Sequence, residues 1–170
     1  MIKNAKGFTL IELVLVIGII GVLVSATLIF IDPKAQLDKS RDSRRKSDLA
    51  QIQKTLEEFY QDNGSYPSSS ANYEIVDSLG NPVGWNTRWD PYMDLVPKDP
   101  ISGKKYVYFS NGQAYYLYAS LDRGTKDAQA CKGAQGCNSL TTLGIGAQTC
   151  GSAIGATCDY VIISPNVSGD

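Results

Sequence analysis

Residues 8–31 read FTLIELVLVIGIIGVLVSATLIFI, and this stretch decides how the chain is organised. Its only charged residue is Glu12. At about 1.5 Å per residue, a helix of this length spans roughly 36 Å, which exceeds the ~30 Å hydrocarbon core of a bilayer. The sequence therefore predicts a membrane-spanning helix close to the first residue.

A second helical segment follows the apolar stretch. Pro33 should kink or break the helix, because proline lacks an amide donor. Residues 34–62 then resume a helical pattern, and Gly64 is a favourable C-terminal stop. The apolar side chains of this segment recur at spacings of three and four: Leu49, Ile52, Leu56 and Phe59. We therefore predict that residues 32–64 form the amphipathic second half of one long helix.

Residues 65–170 predict a globular head. Residues 65–104 are rich in Ser, Pro, Asn and Gly, which indicates a long ordered loop with short helical turns at most. Four large side chains are expected to hold this loop down: Trp85, Trp89, Tyr92 and Leu95. A β-hairpin is predicted over residues 105–121, with Asn111-Gly112 at its turn. Residues 159–164 predict one more strand.

Side chains alternate along the second strand of this hairpin. One set comprises Tyr115, Leu117, Ala119 and Leu121, and the other comprises Tyr116, Tyr118 and Ser120. The alternation predicts one buried face and one solvent-exposed face. The predicted fold class is α+β, with the long N-terminal helix packed through its apolar stripe on a small antiparallel sheet.

Four cysteines lie in a region rich in Gly, Ala, Thr and Ser: Cys131, Cys137, Cys150 and Cys158. Their spacings differ from the C-x-x-C of zinc and redox motifs. An even number of clustered cysteines favours two disulfides that close the C-terminal region outside a reducing compartment. Of the three connectivities we favour the nearest-neighbour pairs, Cys131–Cys137 and Cys150–Cys158. Reduced cysteines in a cytosolic protein are the alternative.

Composition removes several classes of function. The 170 residues include no histidine, which eliminates Ser-His-Asp and Cys-His nucleophile arrangements and every histidine metal ligand. The formal net charge is −1, so no global field favours nucleic acid or anionic lipid. Composition thus excludes the histidine-dependent sites, and we predict that the chain is not an enzyme, with no catalytic residues and no metal ligands.

Glu12 needs a partner, because a charged side chain at the centre of a membrane costs about 2.5–3.5 kcal/mol. Cleavage after Gly7 would give Phe8 a free ammonium group four residues before Glu12, about 6 Å away along the helix axis. That ammonium can pair with the carboxylate of a neighbouring copy, while the apolar surface supplies contact area. The alternative is a single-pass anchor whose Glu12 side chain reaches the membrane interface. Physical chemistry alone does not decide between the two.

Residues 6–12, KGFTLIE, followed by a long apolar helix, resemble the type III signal of type IV pilins and type II secretion pseudopilins. Residues 41–67 resemble the second half of the pilin helix. A weaker match to the major-pseudopilin loop and first strand runs through Tyr92, Leu95, Pro97, Asp99, Pro100, Gly103, Tyr106 and Tyr108. The resemblance implies that residues 1–7 are a leader, removed by a membrane-embedded aspartyl prepilin peptidase. It also implies that Phe8 becomes N-methylated and pairs with Glu12 of an adjacent subunit.

The resemblance implies a structural subunit of a type IV pilus-like filament, assembled by packing of the N-terminal helices. A type II secretion pseudopilin is the alternative, and a single-pass adhesin or receptor that never polymerises is an alternative of another class. The implied partners are copies of the chain, the membrane, the prepilin peptidase and an assembly ATPase with its platform. Direct nucleic-acid binding is not expected. The precursor would lie in the cytoplasmic membrane with its N-terminus inside, and the filament would be extracellular or periplasmic.

Major pseudopilins also carry an acidic, glycine-rich calcium loop near the C-terminus. The corresponding residues here, 120–127, contain Asp122 and Asp127 but lack the Gly-Asp-Gly pattern. Two carboxylates are few ligands for an ion that takes about six to eight oxygens. We therefore predict no cofactor, with calcium at this loop as the alternative.

Two sequence features compete with this topology. A basic cluster follows the apolar stretch and opposes the positive-inside rule: Lys39, Arg41, Arg44, Arg45 and Lys46. Aspartates are interleaved with it, which favours a solvated helix face or ion pairing between subunits. Residues 24–26, VSA, also fit the cut of an ordinary secretory signal peptide, and cleavage there would release a soluble protein.

Overall fold

A computed structural model of the chain describes residues 7–30, 32–131 and 136–167. Most of the expected leader, with Lys3 and Lys6, lies outside the described residues. The contacts divide the chain into two compact units, Met1–Leu37 and Asp38–Asp170. Helix α1 covers Leu10–Phe30 and helix α2 covers Pro33–Asn63.

The boundaries of α2 follow from three residues. Asp32 Oδ1 accepts a hydrogen bond from the Ala35 amide at 3.1 Å, which caps the N-terminus of the helix. Pro33 occupies the first helical position, where a backbone N–H has no acceptor within the helix. The missing N–H of proline therefore costs no helical hydrogen bond there. After Asn63, Gly64 adopts a φ of 73° while its N–H donates to Tyr60 O. Glycine enters this left-handed region without steric cost, so the helix stops there.

Within the described residues, five short strands form two antiparallel sheets. Strands β1 (Ile75–Val76) and β2 (Pro82–Val83) pair with each other. Strands β3 (Val107–Ser110), β4 (Tyr115–Ala119) and β5 (Tyr160–Ile163) form a three-stranded sheet in that order. A short helix, α3 (Asn138–Thr142), and two 3-10 turns, Gly124–Lys126 and Ala147–Cys150, complete the described elements. The predicted α+β class is therefore confirmed.

The apolar stripe of α2 packs on the three-stranded sheet. Leu49, Ile52 and Leu56 are fully buried, in one cluster with side chains from β3 and β4. Full burial of one such side chain contributes about 1.5–3 kcal/mol. A hydrogen bond also joins α2 to the sheet, since the Tyr115 hydroxyl on β4 donates to Glu57 at 2.9 Å.

The prediction of a solvent-exposed face on β4 is wrong. Tyr118 and Ser120 are fully buried, because the C-terminal region covers the second face of the sheet. This cover forms a second apolar cluster: Val107, Tyr118, Cys137, Leu140, Ile145, Cys150 and Cys158. Alternation along a strand shows that it has two faces, but what covers each face depends on chain far away in sequence.

Residues 65–104 differ from the predicted loop in their secondary structure and in the position of Leu95. They contain the β1–β2 sheet rather than helical turns. Trp89 is buried as expected, and Trp85 packs edge-on against Tyr106 with ring centroids 5.7 Å apart. Leu95 was wrongly predicted to pin the loop, because it is 55% exposed while the adjacent Val96 is fully buried.

The prediction of a solvated basic face on α2 is wrong for Arg45. This side chain is completely buried. Its guanidinium lies 2.7 Å from Asp42 Oδ1 and 2.7 Å from Asp99 Oδ2. A buried guanidinium is tolerated only when carboxylates surround it. Asp42, one of the interleaved aspartates, therefore compensates the buried charge of Arg45 inside the globular unit rather than lying on a solvated surface.

Candidate assembly site at the start of the first helix

Helix α1 exposes its apolar surface along its length. All side chains described in residues 7–27 are exposed, and Phe8 is 83% exposed. The window Leu10–Thr27 is long and apolar enough to cross a membrane, and it is the sole such window within the described residues. A large apolar surface of this kind is unstable in water, so lipid or other apolar helices must cover it. The helix and the prepilin-like signal fit membrane anchoring.

The start of α1 is a capping box, which was not predicted from the sequence. Glu12 Oε2 accepts hydrogen bonds from the Thr9 amide at 3.1 Å and the Thr9 hydroxyl at 3.0 Å, and the Glu12 amide donates to Thr9 Oγ1 at 3.3 Å. Thr9 is therefore the N-cap, and Glu12 satisfies donors at the helix end. The T-x-x-E spacing of residues 9–12 is the signal that would have predicted it.

Gly7 and Phe8 precede this capped end in non-helical backbone. Apart from its two chain neighbours, no atom of the described residues lies within 4 Å of the position that a Cβ atom on Gly7 would occupy, and Phe8 is exposed. The bond between them is therefore open on the single chain. The structure thus brings the predicted residues Gly7, Phe8 and Glu12 together at one exposed helix start.

Two glycines lie near the middle of α1. At Gly18 and Gly21, no neighbour from the part of the chain that the structure describes lies within 4 Å of the position that a Cβ atom would occupy, and α1 continues as helix through both. Gly18 forms part of a shallow apolar groove with Leu15, Ile19, Val22 and Leu23. Small residues allow two membrane helices to approach closely, so this groove can receive a side chain of a second helix.

Two disulfides close the C-terminal region of the globular unit. Cys131 is bonded to Cys137 and Cys150 to Cys158, with Cα separations of 4.9 Å and 5.3 Å. Cys150 and Cys158 are fully buried in the second apolar cluster. These bridges fix the cover over β4.

The loop compared with the calcium loop of major pseudopilins does not offer its carboxylates to a metal. Lys104 Nζ lies 2.8 Å from Asp122 Oδ1, and Lys46 Nζ lies 2.6 Å from Asp127 Oδ2. Among the described residues no group of three or more His, Cys, Asp or Glu side chains could hold a metal ion. The donor set therefore does not fit calcium.

The cations beside this loop also change the pKa values of its two aspartates, Asp122 and Asp127. Burial by itself raises the pKa of Asp122, but Lys104 and Arg45 outweigh burial and lower the pKa. The hydrogen bond from Lys46 lowers the pKa of Asp127. Sequence reasoning missed the lysine partners, because Lys104 precedes Asp122 by 18 residues and Lys46 precedes Asp127 by 81.

Comparison with known proteins gives consistent similarities. The family model described as type II secretion system protein G matches residues 34–138, and the prokaryotic N-terminal methylation motif matches residues 2–28. The chain is 32% identical over 135 residues to type II secretion system core protein G of Pseudomonas aeruginosa, covering 75% of this chain and 93% of that protein. No solved structure matches the chain.

Proteins of the same name from Vibrio cholerae and Escherichia coli are both 30% identical to this chain. The matches cover 79% and 72% of this chain, and 88% and 87% of the respective relatives. All three relatives carry a type II secretion name. The similarity therefore favours the secretion pseudopilin over the pilus subunit that was the first expectation from the sequence.

Proposed function

Because this chain belongs to the type II secretion system protein G family, we propose that it is a structural pseudopilin subunit, which polymerises through its N-terminal helix into a periplasmic pseudopilus. The observation that carries the proposal is the exposed apolar surface of α1 with one carboxylate, Glu12, at its start. An apolar helix with one charge at its tip can pack against copies of itself in a fixed axial register.

The proposed precursor spans the cytoplasmic membrane once, with its N-terminus in the cytoplasm. A prepilin peptidase cuts between Gly7 and Phe8, where the bond is exposed ahead of the helix. The new Phe8 amine becomes methylated and pairs with Glu12 of an adjacent subunit. Residues 1–7 are then the leader, residues 8–31 and 32–64 the two helix halves, and residues 65–170 the head. An assembly ATPase and its membrane platform drive polymerisation.

The first prediction concerns the mature N-terminus. Mass spectrometry of the chain purified from the cell envelope should find a chain that starts at Phe8 and carries one methyl group. The open Gly7–Phe8 bond supports this result. A chain that starts at Thr27 would identify a secreted soluble protein, and an intact Met1 would identify a plain anchor. Either finding would contradict the pseudopilin proposal.

The second prediction separates the charge of Glu12 from its capping role. Glu12→Gln keeps an oxygen acceptor for the Thr9 amide, because glutamine also serves in capping boxes, but it removes the charge. We expect Glu12→Gln to insert into the membrane normally and to lose filaments in electron micrographs of overexpressing cells. The loss should be about tenfold or more in filament number, which corresponds to about 1.4 kcal/mol of assembly free energy.

Thr9→Val is the matched control. Valine keeps the shape of threonine and leaves the Glu12 carboxylate in place, but it removes the hydroxyl that bonds to Glu12. We expect this variant to assemble. Filaments formed normally by Glu12→Gln would show that no charge pair is needed. Equal failure of both variants would assign the requirement to the helix cap instead.

A type IV pilus subunit is the second candidate, because the signal at residues 6–12, inside the N-terminal methylation motif that matches residues 2–28, resembles that of both classes. The two candidates differ in the machinery that they serve. Deletion of the gene should abolish export of folded proteins from the periplasm if the chain is a secretion pseudopilin. Loss of surface pili with normal export would support the pilus subunit.

A further inference from the structure

We propose that the loop of residues 120–127 is locked in place by three cationic side chains of this chain, Arg45, Lys46 and Lys104, and that it folds without calcium. This inference concerns the globular unit and does not depend on the proposed function. In place of the calcium loop that the sequence left as the alternative, it puts an internal ionic lock, defined here as those three cations and their carboxylate partners.

Asp122 lies between two of the cations. Lys104 donates to Asp122 Oδ1 at 2.8 Å and to the Ser120 carbonyl at 3.3 Å. Arg45 Nη1 lies 3.0 Å from Asp122 Oδ2 in an ion pair. The side chain of Lys104 is only 5% exposed. A buried ammonium coordinated by a carboxylate and a carbonyl supplies the positive charge that a metal ion would otherwise bring to these oxygens.

Asp42 of α2 holds the backbone of the same loop. Its Oδ1 accepts a hydrogen bond from the Asp122 amide at 2.7 Å, and its Oδ2 accepts one from the Arg123 amide at 2.9 Å. Arg45 Nη1 also donates to Asp42 Oδ1 at 2.7 Å, and the guanidinium is completed by Asp99. The lock therefore joins α2, the chain before β3 and the loop after β4 through one guanidinium.

Asp127 fastens the far end of the loop. Lys46 donates to Asp127 Oδ2 at 2.6 Å and to Gln129 Oε1 at 2.9 Å. The other oxygen, Asp127 Oδ1, accepts a hydrogen bond from the Gln129 amide at 2.9 Å. Asp122 Oδ1 and both oxygens of Asp127 thus accept hydrogen bonds within the protein. Asp122 Oδ2 is buried and accepts no hydrogen bond among the described residues, so its compensation is the ion pair with Arg45.

Calcium would have to displace these partners. It requires about six to eight oxygen ligands, and its approach to Asp122 would bring two positive charges against Lys104 and Arg45. Asp159, next to the same loop, has Oδ1 already bonded to the Leu121 amide at 2.7 Å. Burial raises the pKa of Asp159, which further disfavours its charged form.

The first experiment measures thermal unfolding of the full chain in detergent, by near-UV circular dichroism, in EDTA and in millimolar calcium chloride. A ligand that binds the folded state raises the midpoint by mass action. We expect midpoints that agree within about 1 °C. A rise of about 4 °C or more in calcium, reversed by EDTA, would overturn the proposal.

The second experiment removes one cation. Lys104→Met keeps most of the apolar stem and deletes the ammonium, so Asp122 loses one partner while it stays largely buried. Lys105→Met is the matched control, because the neighbouring Lys105 ammonium donates to a backbone carbonyl, that of Asn72 at 3.3 Å, and forms no ion pair within the described residues. We expect Lys104→Met to lower the midpoint by about 4 °C or more relative to Lys105→Met. Equal midpoints for the two variants would show that Lys104 does not lock the loop. If Lys104→Met does not fold, the comparison of wild type in EDTA and calcium still tests the proposal.

Discussion

Asp48 and Tyr106 show how a single hydrogen bond ties α2 to the residues that lead into β3. The Tyr106 hydroxyl donates to Asp48 Oδ2 at 2.8 Å, and the Tyr106 ring is fully buried. Burial raises the pKa of Asp48, although the hydrogen bond from Tyr106 acts in the opposite direction. Keeping Asp48 charged in the folded protein therefore costs free energy, and the hydrogen bond from the Tyr106 hydroxyl reduces that cost.

The third prediction is that Tyr106→Phe lowers the free energy of unfolding by about 1–3 kcal/mol at pH 7, because the partly buried Asp48 carboxylate loses its tyrosine donor. Because the pKa of Asp48 is higher in the folded state than in the unfolded state, protonation of Asp48 favours the folded state. This contribution is complete below the unfolded pKa of ~3.9 and is lost as the pH rises through the folded pKa. Without the hydroxyl the folded pKa of Asp48 rises further. The deficit of Tyr106→Phe should therefore be largest near neutral pH and shrink below about pH 4.

Urea unfolding at a series of pH values checks this prediction. Tyr116→Phe is the control, because Tyr116 is a half-buried tyrosine whose ring stacks on Tyr118 on the same strand. Its deficit should be small and should not change with pH. A deficit of Tyr106→Phe that stays constant from neutral to acidic pH would show that Asp48 does not respond to the hydroxyl.

At the scale of elements, the parts that follow from local patterns were predictable. The 3-4 spacing of apolar residues on α2 identified its buried stripe, and Asn111-Gly112 identified the turn between β3 and β4. The burial of the second face of β4 was not predictable, because that face is covered by residues 137–158, whose described elements, α3 and the 3-10 turn Ala147–Cys150, are too short to give a sequence periodicity.

The fourth prediction concerns the cover over β4. Replacing Cys150 and Cys158 together by alanine should lower the free energy of unfolding by about 2–5 kcal/mol, because a disulfide limits the unfolded chain and this one is completely buried against the sheet. Replacing Cys131 and Cys137 together is the matched comparison, since Cys131 is only half-buried. Thermal unfolding of the two double variants should show the larger loss for the first. The opposite order would mean that the buried bridge is not what holds the cover.

At the scale of the whole molecule, the candidate site and the ionic lock differed in how readily the sequence revealed them. The start of α1 could be predicted, because Gly7, Phe8, Thr9 and Glu12 are contiguous or one helical turn apart and their geometry is local. The lock could not be predicted, because Arg45 and Asp99 are 54 residues apart and meet only after α2 packs on the sheet. In the sequence, a helix with interleaved charges has the same pattern whether its basic side chains contact water or the carboxylates of a distant loop.

The division of the chain into units Met1–Leu37 and Asp38–Asp170 gives the last prediction. Among the described residues, the buried side chains all lie at or beyond Asp42, so the second unit contains a complete core, both disulfides and the ionic lock. A unit with its own core can fold independently. Residues 38–170, produced in an oxidising compartment, should therefore be soluble without detergent and elute as a monomer. Their unfolding midpoint should lie within about 3 °C of that of the full chain in detergent. A fragment that aggregates, or that unfolds well below the full chain, would show that the apolar helix contributes to the stability of the globular unit as well as to assembly.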